Sequence, residues 1–129
     1  MASPPDLKYT KEHEWVRVDG DTGTIGITDY AQDQLGDIVF VDLPPTGTKV
    51  IYTQKFGEIE SVKAVSELFA PVSGEMIEAN GGLNDNPQWV NDDPYGGGWM
   101  IKVRLDNTAE LDGLLSAQEY EAFLGESDG

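Results

Sequence analysis

A single lysine near the middle of the chain is the clearest candidate for chemistry. Lys63 lies in the stretch FGEIESVKAVSELFAPVSGE (56–75), between the small apolar residues Val62 and Ala64. Neither neighbour is bulky enough to shield the amine, which suits covalent modification by another enzyme. A Schiff-base catalyst needs a lysine buried in a desolvating pocket, which this acidic stretch does not offer. The alternative is an ordinary exposed lysine that only solvates the surface.

The rest of the chain offers little material for catalysis. It contains no cysteine, which excludes disulfides, zinc–thiolate sites and a cysteine nucleophile. No G-x-S-x-G motif accompanies the one histidine, His13, which we interpret as a structural residue beside Trp15. Phosphate-binding glycine loops are absent. The Asn- and Asp-rich segment 84–93 lacks the residue order of an EF-hand, so we predict a solvated turn and no metal site.

Length and charge narrow the class of protein. The 129 residues suit one domain, which we expect to span residues 1–129. The net charge of −16 disfavours nucleic acid and anionic membrane surfaces as partners. It serves solubility, or steers the chain towards basic patches on larger proteins, and both interpretations stay open. The N-terminus shows no secretory signal and no transit segment, which predicts a bacterial cytoplasmic protein, with the mitochondrial matrix as the alternative for a processed eukaryotic chain.

The spacing of apolar residues predicts many short strands. The runs 56–62 and 66–70 are separated by a short connection, so we expect a β-hairpin with Lys63 at or beside its tip. Residues 38–41 are apolar at every position, which predicts a strand buried on both faces. Further strands are predicted at 15–18, 24–28, 75–79 and 99–105, the first two of which form a second hairpin.

Helices are predicted at two places. Residues 29–35 form a short helix with Asp29 as its N-cap and Gly36 at its C-terminal end. Residues 106–125 form a C-terminal helical segment of two helices, and Ser116 opens a capping box at the second. The segments without predicted regular structure are the loose terminus at 1–6 and the long loop at 80–98. These elements predict a mainly β fold, a β-sandwich or flattened β-barrel with short helices packed outside.

Five segments, in order, resemble the H-protein family of the glycine cleavage system. They are KEHEW (11–15), IGITDYAQDQLGDIVFVDLP (25–44), the lysine motif ESVKA (60–64), APVSGE (70–75) and VNDDPYGGGW (90–99). The resemblance implies a lipoyl-domain-like fold, a hybrid of a sandwich and a flattened barrel, over nearly the whole chain. Biotin carriers place Met on both sides of their lysine, and lipoyl domains of 2-oxo-acid dehydrogenases usually place Asp before it. Val62 and Ala64 match neither pattern.

The resemblance implies that Lys63 carries lipoic acid in amide linkage. The chain would then be a monomeric, non-catalytic shuttle that receives an aminomethyl group from glycine decarboxylase (P protein) and delivers it to the aminomethyltransferase (T protein). Dihydrolipoyl dehydrogenase (L protein) would reoxidise the arm, and a lipoylating enzyme is the fourth implied partner. The alternatives are a relay that donates lipoyl groups to 2-oxo-acid dehydrogenases, a non-lipoylated binding module of the same fold, and an enzyme with a hidden site.

The resemblance also implies roles for three glutamates. Glu14 and Glu67 are the candidates to hold the ammonium group of the loaded arm, because a pair of carboxylates suits a cation. Glu60 either pairs with Lys63 before modification or is recognised by the lipoylating enzyme. Two other positions are expected to bear on the lining of the cleft or on partner fit, namely Tyr30 and Gln34.

Overall fold

The computed structural model describes residues 3–128, so Met1 and Ala2 of the predicted loose terminus lie outside the described residues. The strands are β1 (Lys8–Tyr9), β2 (Glu14–Asp19), β3 (Thr22–Ile27), β4 (Ile38–Asp42), β5 (Lys49–Val50), β6 (Lys55–Ser61), β7 (Val65–Phe69), β8 (Gly74–Ala79) and β9 (Ile101–Leu105). The helices are α1 (Asp29–Leu35), α2 (Gly82–Asp85), α3 (Trp89–Asp92), a 3-10 helix (Thr108–Gly113) and α4 (Ala117–Asp128). No helix among the described residues is long and apolar enough to cross a membrane.

Two antiparallel sheets form the frame, and they do not close into a barrel. The larger sheet has the strand order β1-β2-β3-β9-β8-β5, and the smaller one has the order β4-β6-β7. Both sheets contribute to one buried apolar cluster, whose members include Ile25, Ile59, Met76, Ile101 and Val103. Burying each such side chain stabilises the fold by roughly 1.5–3 kcal/mol. The predicted mainly β fold with short helices is therefore confirmed, in its open, sandwich-like form.

A second apolar cluster fixes helix α4 against the end of the larger sheet. Trp15 and Tyr9 pack with Tyr120 of α4, whose ring stacks on that of Tyr9 with the centroids 4.8 Å apart. The predicted capping box begins this helix, since Ser116 Oγ accepts from the Glu119 amide at 3.1 Å and Glu119 Oε1 accepts from the Ser116 amide at 2.9 Å. The first of the two predicted C-terminal helices is a 3-10 helix.

Helix α1 has its predicted bounds but a different cap. Thr28, and not Asp29, is the N-cap, because Thr28 Oγ1 accepts a hydrogen bond from the Ala31 amide at 3.2 Å. Both residue types cap helices well, and Thr28 has the extended backbone that a cap requires, since it directly follows β3. Gly36 ends the helix as predicted, with a φ of +81° that glycine adopts readily and other residues rarely do.

The prediction that residues 38–41 are buried on both faces is wrong. Ile38 and Val41 are each only 3 % exposed, whereas Val39 and Phe40 are 47 % and 52 % exposed. The register between β4 and β6 shifts between Ile38 and Phe40, and such a bulge turns an extra side chain outward. A continuous apolar run does not show where a bulge interrupts the alternation of the strand, so the sequence pattern misses it.

The long loop predicted at 80–98 contains two single-turn helices, α2 and α3. They bury Leu83 and Val90, which are 2 % and 0 % exposed. The predicted strand at 99–105 begins later, at Ile101, and Met100 is fully buried although the alternation placed it on the polar face. A helix of one turn is too short to show a periodic apolar pattern. The Gly, Asn and Asp content of this segment predicts a loop, so the sequence does not reveal these two helices.

Candidate functional site

Lys63 lies in the connection between β6 and β7, at the predicted hairpin tip. Ser61 Oγ accepts from the amides of Lys63 at 3.3 Å and Ala64 at 3.1 Å. The Ser61 amide donates to the Ala64 carbonyl at 2.8 Å, which closes the turn. The Val62 amide donates to the carbonyl of Asp37 at 3.0 Å and ties the tip to the segment between α1 and β4. The backbone that presents the lysine is therefore held at several points.

The Lys63 side chain is exposed, and it forms no ion pair with a carboxylate of the described residues. Its neighbours Val62 and Val65 are 69 % and 61 % exposed. The aliphatic part of Lys63 lies beside Gly36, where an added Cβ would be 3.4 Å from Lys63 Cε. The amine is thus open to solvent and to an approaching enzyme.

Glu60 is exposed on β6, directly opposite Phe40 of β4 on one side and Val65 of β7 on the other. Glu60 and Lys63 do not form an ion pair in the structure. Its recognition by a lipoylating enzyme stays a prediction.

Glu14 has the opposite environment, because its side chain is only 2 % exposed at the start of β2. It borders a cavity of about 370 Å³ that lies between the segment after β1, the end of β7 and the residues after the 3-10 helix. The mainly apolar part of the wall consists of Tyr9, Tyr52, Phe69, Ala70, Leu114 and Leu115. The cavity therefore combines an apolar wall with one buried carboxyl group.

Two donors hold the Glu14 carboxyl group in this cavity. Thr10 Oγ1 donates to Oε1 at 2.7 Å, and the Phe69 amide donates to Oε2 at 3.2 Å. Burial raises the pKa of Glu14 from 4.5 to about 7, and the two hydrogen bonds offset part of that effect. The group therefore titrates near neutral pH, and a cation beside it would favour its charged form.

Glu67 lies on the open face of the hairpin and is not part of the cavity wall. Its side chain is 55 % exposed, and its Oε2 lies 3.6 Å from Lys55 Nζ. Lys55 Nζ also lies 3.2 Å from Glu58 Oε2. Because Glu67 precedes Phe69 by two residues on β7, it stands between the hairpin tip and the cavity. The structure separates the two predicted carboxylates: one is buried in the cavity and the other is on the path towards it.

His13 belongs to an aromatic cluster with Tyr120, which also packs with Trp15. Its Nδ1 lies 2.8 Å from the Tyr120 hydroxyl, and its ring centroid lies 4.8 Å from that of Tyr30. Burial lowers the pKa of His13 and favours the neutral ring. Tyr30 borders a smaller cavity of about 180 Å³, and Gln34 is exposed and borders neither cavity. Among the side chains that the structure describes, residues 3–125, no group of three or more His, Asp or Glu is arranged to hold a metal ion.

Most of the cavity wall has no signal in the sequence. Thr10 precedes Glu14 by four residues, and its hydroxyl could donate a hydrogen bond to the Glu14 carboxylate. This spacing is the one local feature of the sequence that points to the site. Tyr52 comes from the connection between β5 and β6, and Leu114 follows the 3-10 helix. Residues this far apart are brought together by the packing of the sheets and the C-terminal segment, which no local pattern predicts.

The fold and these two sites define a class of protein, a mainly β carrier domain that presents one accessible lysine on a hairpin tip. The description "Glycine cleavage H-protein" belongs to the family model that matches residues 7–127. The chain therefore belongs to the glycine cleavage H-protein family, the lipoyl carriers of the glycine cleavage system. This membership supports the carrier role in glycine cleavage over the role of a lipoyl relay, and it implies the P, T and L proteins as partners in general.

Curated relatives and a solved structure agree with this assignment. The glycine cleavage system H protein of Staphylococcus carnosus (strain TM300) is 57 % identical over 126 residues, which cover 98 % of this chain and 100 % of the relative. The H protein of Geobacillus kaustophilus (strain HTA426) is 56 % identical over 126 residues, which cover 98 % of this chain and 99 % of that one. The crystal structure of an H protein from Mycobacterium marinum matches with a TM-score of 0.88 at 40 % identity, over 95 % of this chain and 99 % of the other.

Proposed function

We propose that Lys63 carries lipoic acid in amide linkage and that the chain is a non-catalytic shuttle of the glycine cleavage system. The accessible Lys63 amine, on a turn whose backbone is held by Ser61, is the observation that carries this proposal. Family membership supplies the class of cofactor. When attached, the lipoyl group supplies a disulfide that accepts a one-carbon unit together with electrons and is restored by oxidation.

The shuttle serves three enzymes: it receives its load from the P protein, delivers it to the T protein and is reoxidised by the L protein. The contribution of this chain is to tether the reacting group, which raises its local concentration at each active site. The net charge of −16 suits docking on basic surfaces of these larger partners. Bacterial relatives support a location in the bacterial cytoplasm. In this proposal the shuttle works as a monomer.

The dimensions of the hairpin suit an arm that folds back towards the cavity. The strand from Val65 to Phe69 spans about 13 Å at the usual rise per residue. A lipoyl-lysine side chain measures roughly 15 Å from Cα to sulfur when its bonds are counted in extended form. The mouth of the cavity is therefore within reach of an arm that starts at Lys63.

The Glu14 carboxyl group is proposed to hold the ammonium end of the loaded arm. The site supplies a buried carboxyl group oriented by Thr10 and Phe69, and a mainly apolar wall for hydrocarbon and sulfur. A charge-assisted hydrogen bond in such a setting is stronger than one in water. Glu67 is proposed as the second carboxylate that contacts the ammonium group. It would do so on the open face of the hairpin, after releasing Lys55.

Glu60 is proposed to be read by the lipoylating enzyme. It is exposed, it lies on β6 close to the tip, and it is not engaged by Lys63. A Glu60→Gln variant is expected to be lipoylated several-fold more slowly, with unchanged unfolding by urea. An unchanged rate of lipoylation would contradict this role.

Intact-mass measurement tests the attachment site. The chain is incubated with a purified lipoyl ligase, lipoate and ATP, and the product is then mapped by peptide mass. One lipoyl-amide increment is expected on the peptide that contains Lys63, and none on Lys63→Arg. Lys55→Arg, on the same hairpin, is the matched control and should be modified normally. The lipoylated chain is then expected to be reduced by the P protein in a glycine-dependent manner.

Two results would contradict the proposal. One is a wild-type chain without the increment, which would leave the hairpin as a non-lipoylated binding module. The other is an increment that persists in Lys63→Arg, which would place the attachment on another lysine.

A further inference from the structure

The bulge in β4 exposes two consecutive apolar side chains beside the lysine hairpin. Val39 and Phe40 are 47 % and 52 % exposed, while Ile38 and Val41 on either side of them are buried. Regular alternation would have exposed only one of the two. Bulges of this kind frequently re-aim side chains next to functional sites. Exposed apolar side chains indicate an interaction surface when they form a contiguous patch.

Strand pairing makes these side chains part of one surface around Lys63. Phe40 lies opposite Glu60, which lies opposite Val65 on the next strand, so the three form one row across the smaller sheet. Val62, in the tip itself, is 69 % exposed. We call the four apolar residues Val39, Phe40, Val62 and Val65 the bulge patch. It adjoins the lysine and has no cover in the described structure.

The surroundings of the bulge patch are acidic. The next row of the same sheet joins Asp42, Glu58 and Glu67 through their strand pairing. Lys55 contacts Glu58 and Glu67 and neutralises part of this row. Asp42 and Glu60 form no ion pair among the described residues. A complementary surface therefore has an apolar centre and a rim of Lys or Arg.

We propose that the bulge patch is the docking site of the enzyme that attaches the lipoyl group to Lys63. This inference rests on the proposed function, because it takes Lys63 as the attachment site. The Lys63 amine lies at most about 6 Å from its own Cα. An enzyme that acylates this amine must therefore cover the surface next to the tip. Enzymes that act on the sulfur atoms approach roughly 9 Å further out and do not need this surface.

The reaction at this interface is an acyl transfer. Lys63 Nζ attacks the carbonyl carbon of an activated lipoyl group, either an acyl adenylate or a thioester. The C–N amide bond forms, the bond from the carbonyl carbon to the activating group breaks, and the nitrogen loses a proton. The activating group leaves with the electron pair of the broken bond, and no electrons are exchanged with another reactant. The bulge patch contributes by positioning, since none of its four side chains reacts.

The test compares two double variants that each remove two exposed apolar side chains. Val39→Ser with Phe40→Ser removes half of the bulge patch. Val18→Ser with Ile77→Ser is the matched control, because these residues are 39 % and 36 % exposed on the larger sheet. Lipoylation by a purified lipoyl ligase with lipoate and ATP is followed by intact mass over a range of chain concentrations. Urea unfolding verifies that both variants are folded, and Val65→Ser replaces the first variant if it is not.

The expected result is a KM for lipoylation about tenfold higher in the patch variant, with kcat within twofold of wild type, since loss of a docking anchor weakens binding and not chemistry. The control variant should stay within twofold in both constants. Raising the NaCl concentration should increase the wild-type KM, because the acidic rim attracts a basic partner. Once fully lipoylated by prolonged reaction, the patch variant should react with the P protein and glycine as the wild type does.

Four other results are possible, and each leads to a different conclusion. Equal lipoylation of all variants, with the wild type modified on Lys63, would overturn the docking site and leave the proposed function standing. Equal lipoylation combined with a raised KM for the P protein would assign the patch to that enzyme instead. A dimer of the wild type that the patch variant loses would assign it to a second copy of the chain. A wild type that is not modified on Lys63 would overturn both proposals.

Discussion

The hairpin tip and the Glu14 cavity lie at the two ends of β7, and they have opposite environments. At the tip, Val62 is 69 % exposed, and the Lys63 side chain makes no ion pair with the described residues. In the cavity, Glu14 is 2 % exposed, and both of its oxygens accept hydrogen bonds. Hydrogen bonds at the tip hold the backbone and leave the lysine side chain open, whereas hydrogen bonds in the cavity hold the Glu14 carboxyl group itself.

The difference matches the two demands on a shuttle. The proposed attachment point, Lys63, would have to enter the active sites of several enzymes, and its side chain is open while hydrogen bonds to Ser61 and Asp37 hold the backbone. The load must be shielded between visits, so the proposed host for its cation is desolvated and oriented in advance. A buried carboxyl group raises the free energy of the folded state when it is charged, and this cost can be measured.

The largest expected effect is on the pH dependence of stability. The Glu14 pKa of about 7 lies above its ordinary value of 4.5, so the folded state holds a proton between these values that the unfolded chain has lost. The stability that Glu14 contributes is therefore fully present below pH 4.5 and is lost as the pH rises through about 7, by about 3 kcal/mol in total. Glu14→Gln keeps a neutral group and should lose this decrease. Urea unfolding of both chains between about pH 4 and pH 8, a range that includes both pKa values, measures it.

As the pH rises, the free energy of unfolding should therefore fall in the wild type relative to Glu14→Gln. Asp19→Asn, at the exposed far end of the same strand β2, is the control for a general effect of removing an acid. Parallel curves for wild type and Glu14→Gln would show that the cavity does not desolvate the carboxyl group. The contrast with the open tip would then be lost.

The next effect concerns the lifetime of the loaded arm. Glu14→Ala should shorten the half-life of the aminomethyl-loaded form about tenfold, because a hydrogen bond to a charged group contributes about 1.5–3 kcal/mol. The rate of lipoylation should not change, since that reaction takes place at the tip. Decay is followed by intact mass after loading with glycine and the P protein. Glu67→Ala, on the exposed face, should have a smaller effect.

An equal effect of Glu14→Ala and Glu67→Ala would show that both carboxylates hold the ammonium group together, despite their separation in the structure. An unchanged half-life in Glu14→Ala would contradict the proposed role of the cavity.

A smaller effect is expected at the backbone of the tip. Ser61→Ala removes the oxygen that accepts from the amides of Lys63 and Ala64, and it should destabilise the chain by about 1 kcal/mol. The Ala64 amide should lose protection from hydrogen exchange. Ser66→Ala, on β7 of the same hairpin, is the control. Unchanged exchange at Ala64 would mean that the turn holds its shape without the serine.

Much of the frame could be predicted from the sequence, because local patterns determine it. The hairpin that carries Lys63, the bounds of α1 and the capping box at Ser116 all follow from alternation, turn residues and cap residues. These signals lie within a few residues of the structure that they specify. The position of Lys63 could therefore be predicted without knowledge of any distant contact.

What could not be predicted depends on distant contacts. The apolar run at 38–41 gave no sign of the bulge, which arises from the register against β6. The cavity wall combines Tyr9, Tyr52 and Leu114 from three separate parts of the chain. The burial of Glu14, and with it the raised pKa, follows only once these parts have packed together. The two sites thus differ also in how far the sequence alone can specify them.

The smallest expected effect is on the stability of a Val62→Ala variant. Val62 is 69 % exposed, so truncating it should change the free energy of unfolding by less than about 0.5 kcal/mol, as for most surface substitutions. Urea unfolding measures this change, and Val16→Ala, at a site that is 1 % exposed, shows what loss of a buried valine costs. A loss above about 1 kcal/mol at Val62 would show that the tip packs against the fold as a core residue does. A neutral result would mean that folding does not require this apolar side chain, as expected of a residue in a docking surface.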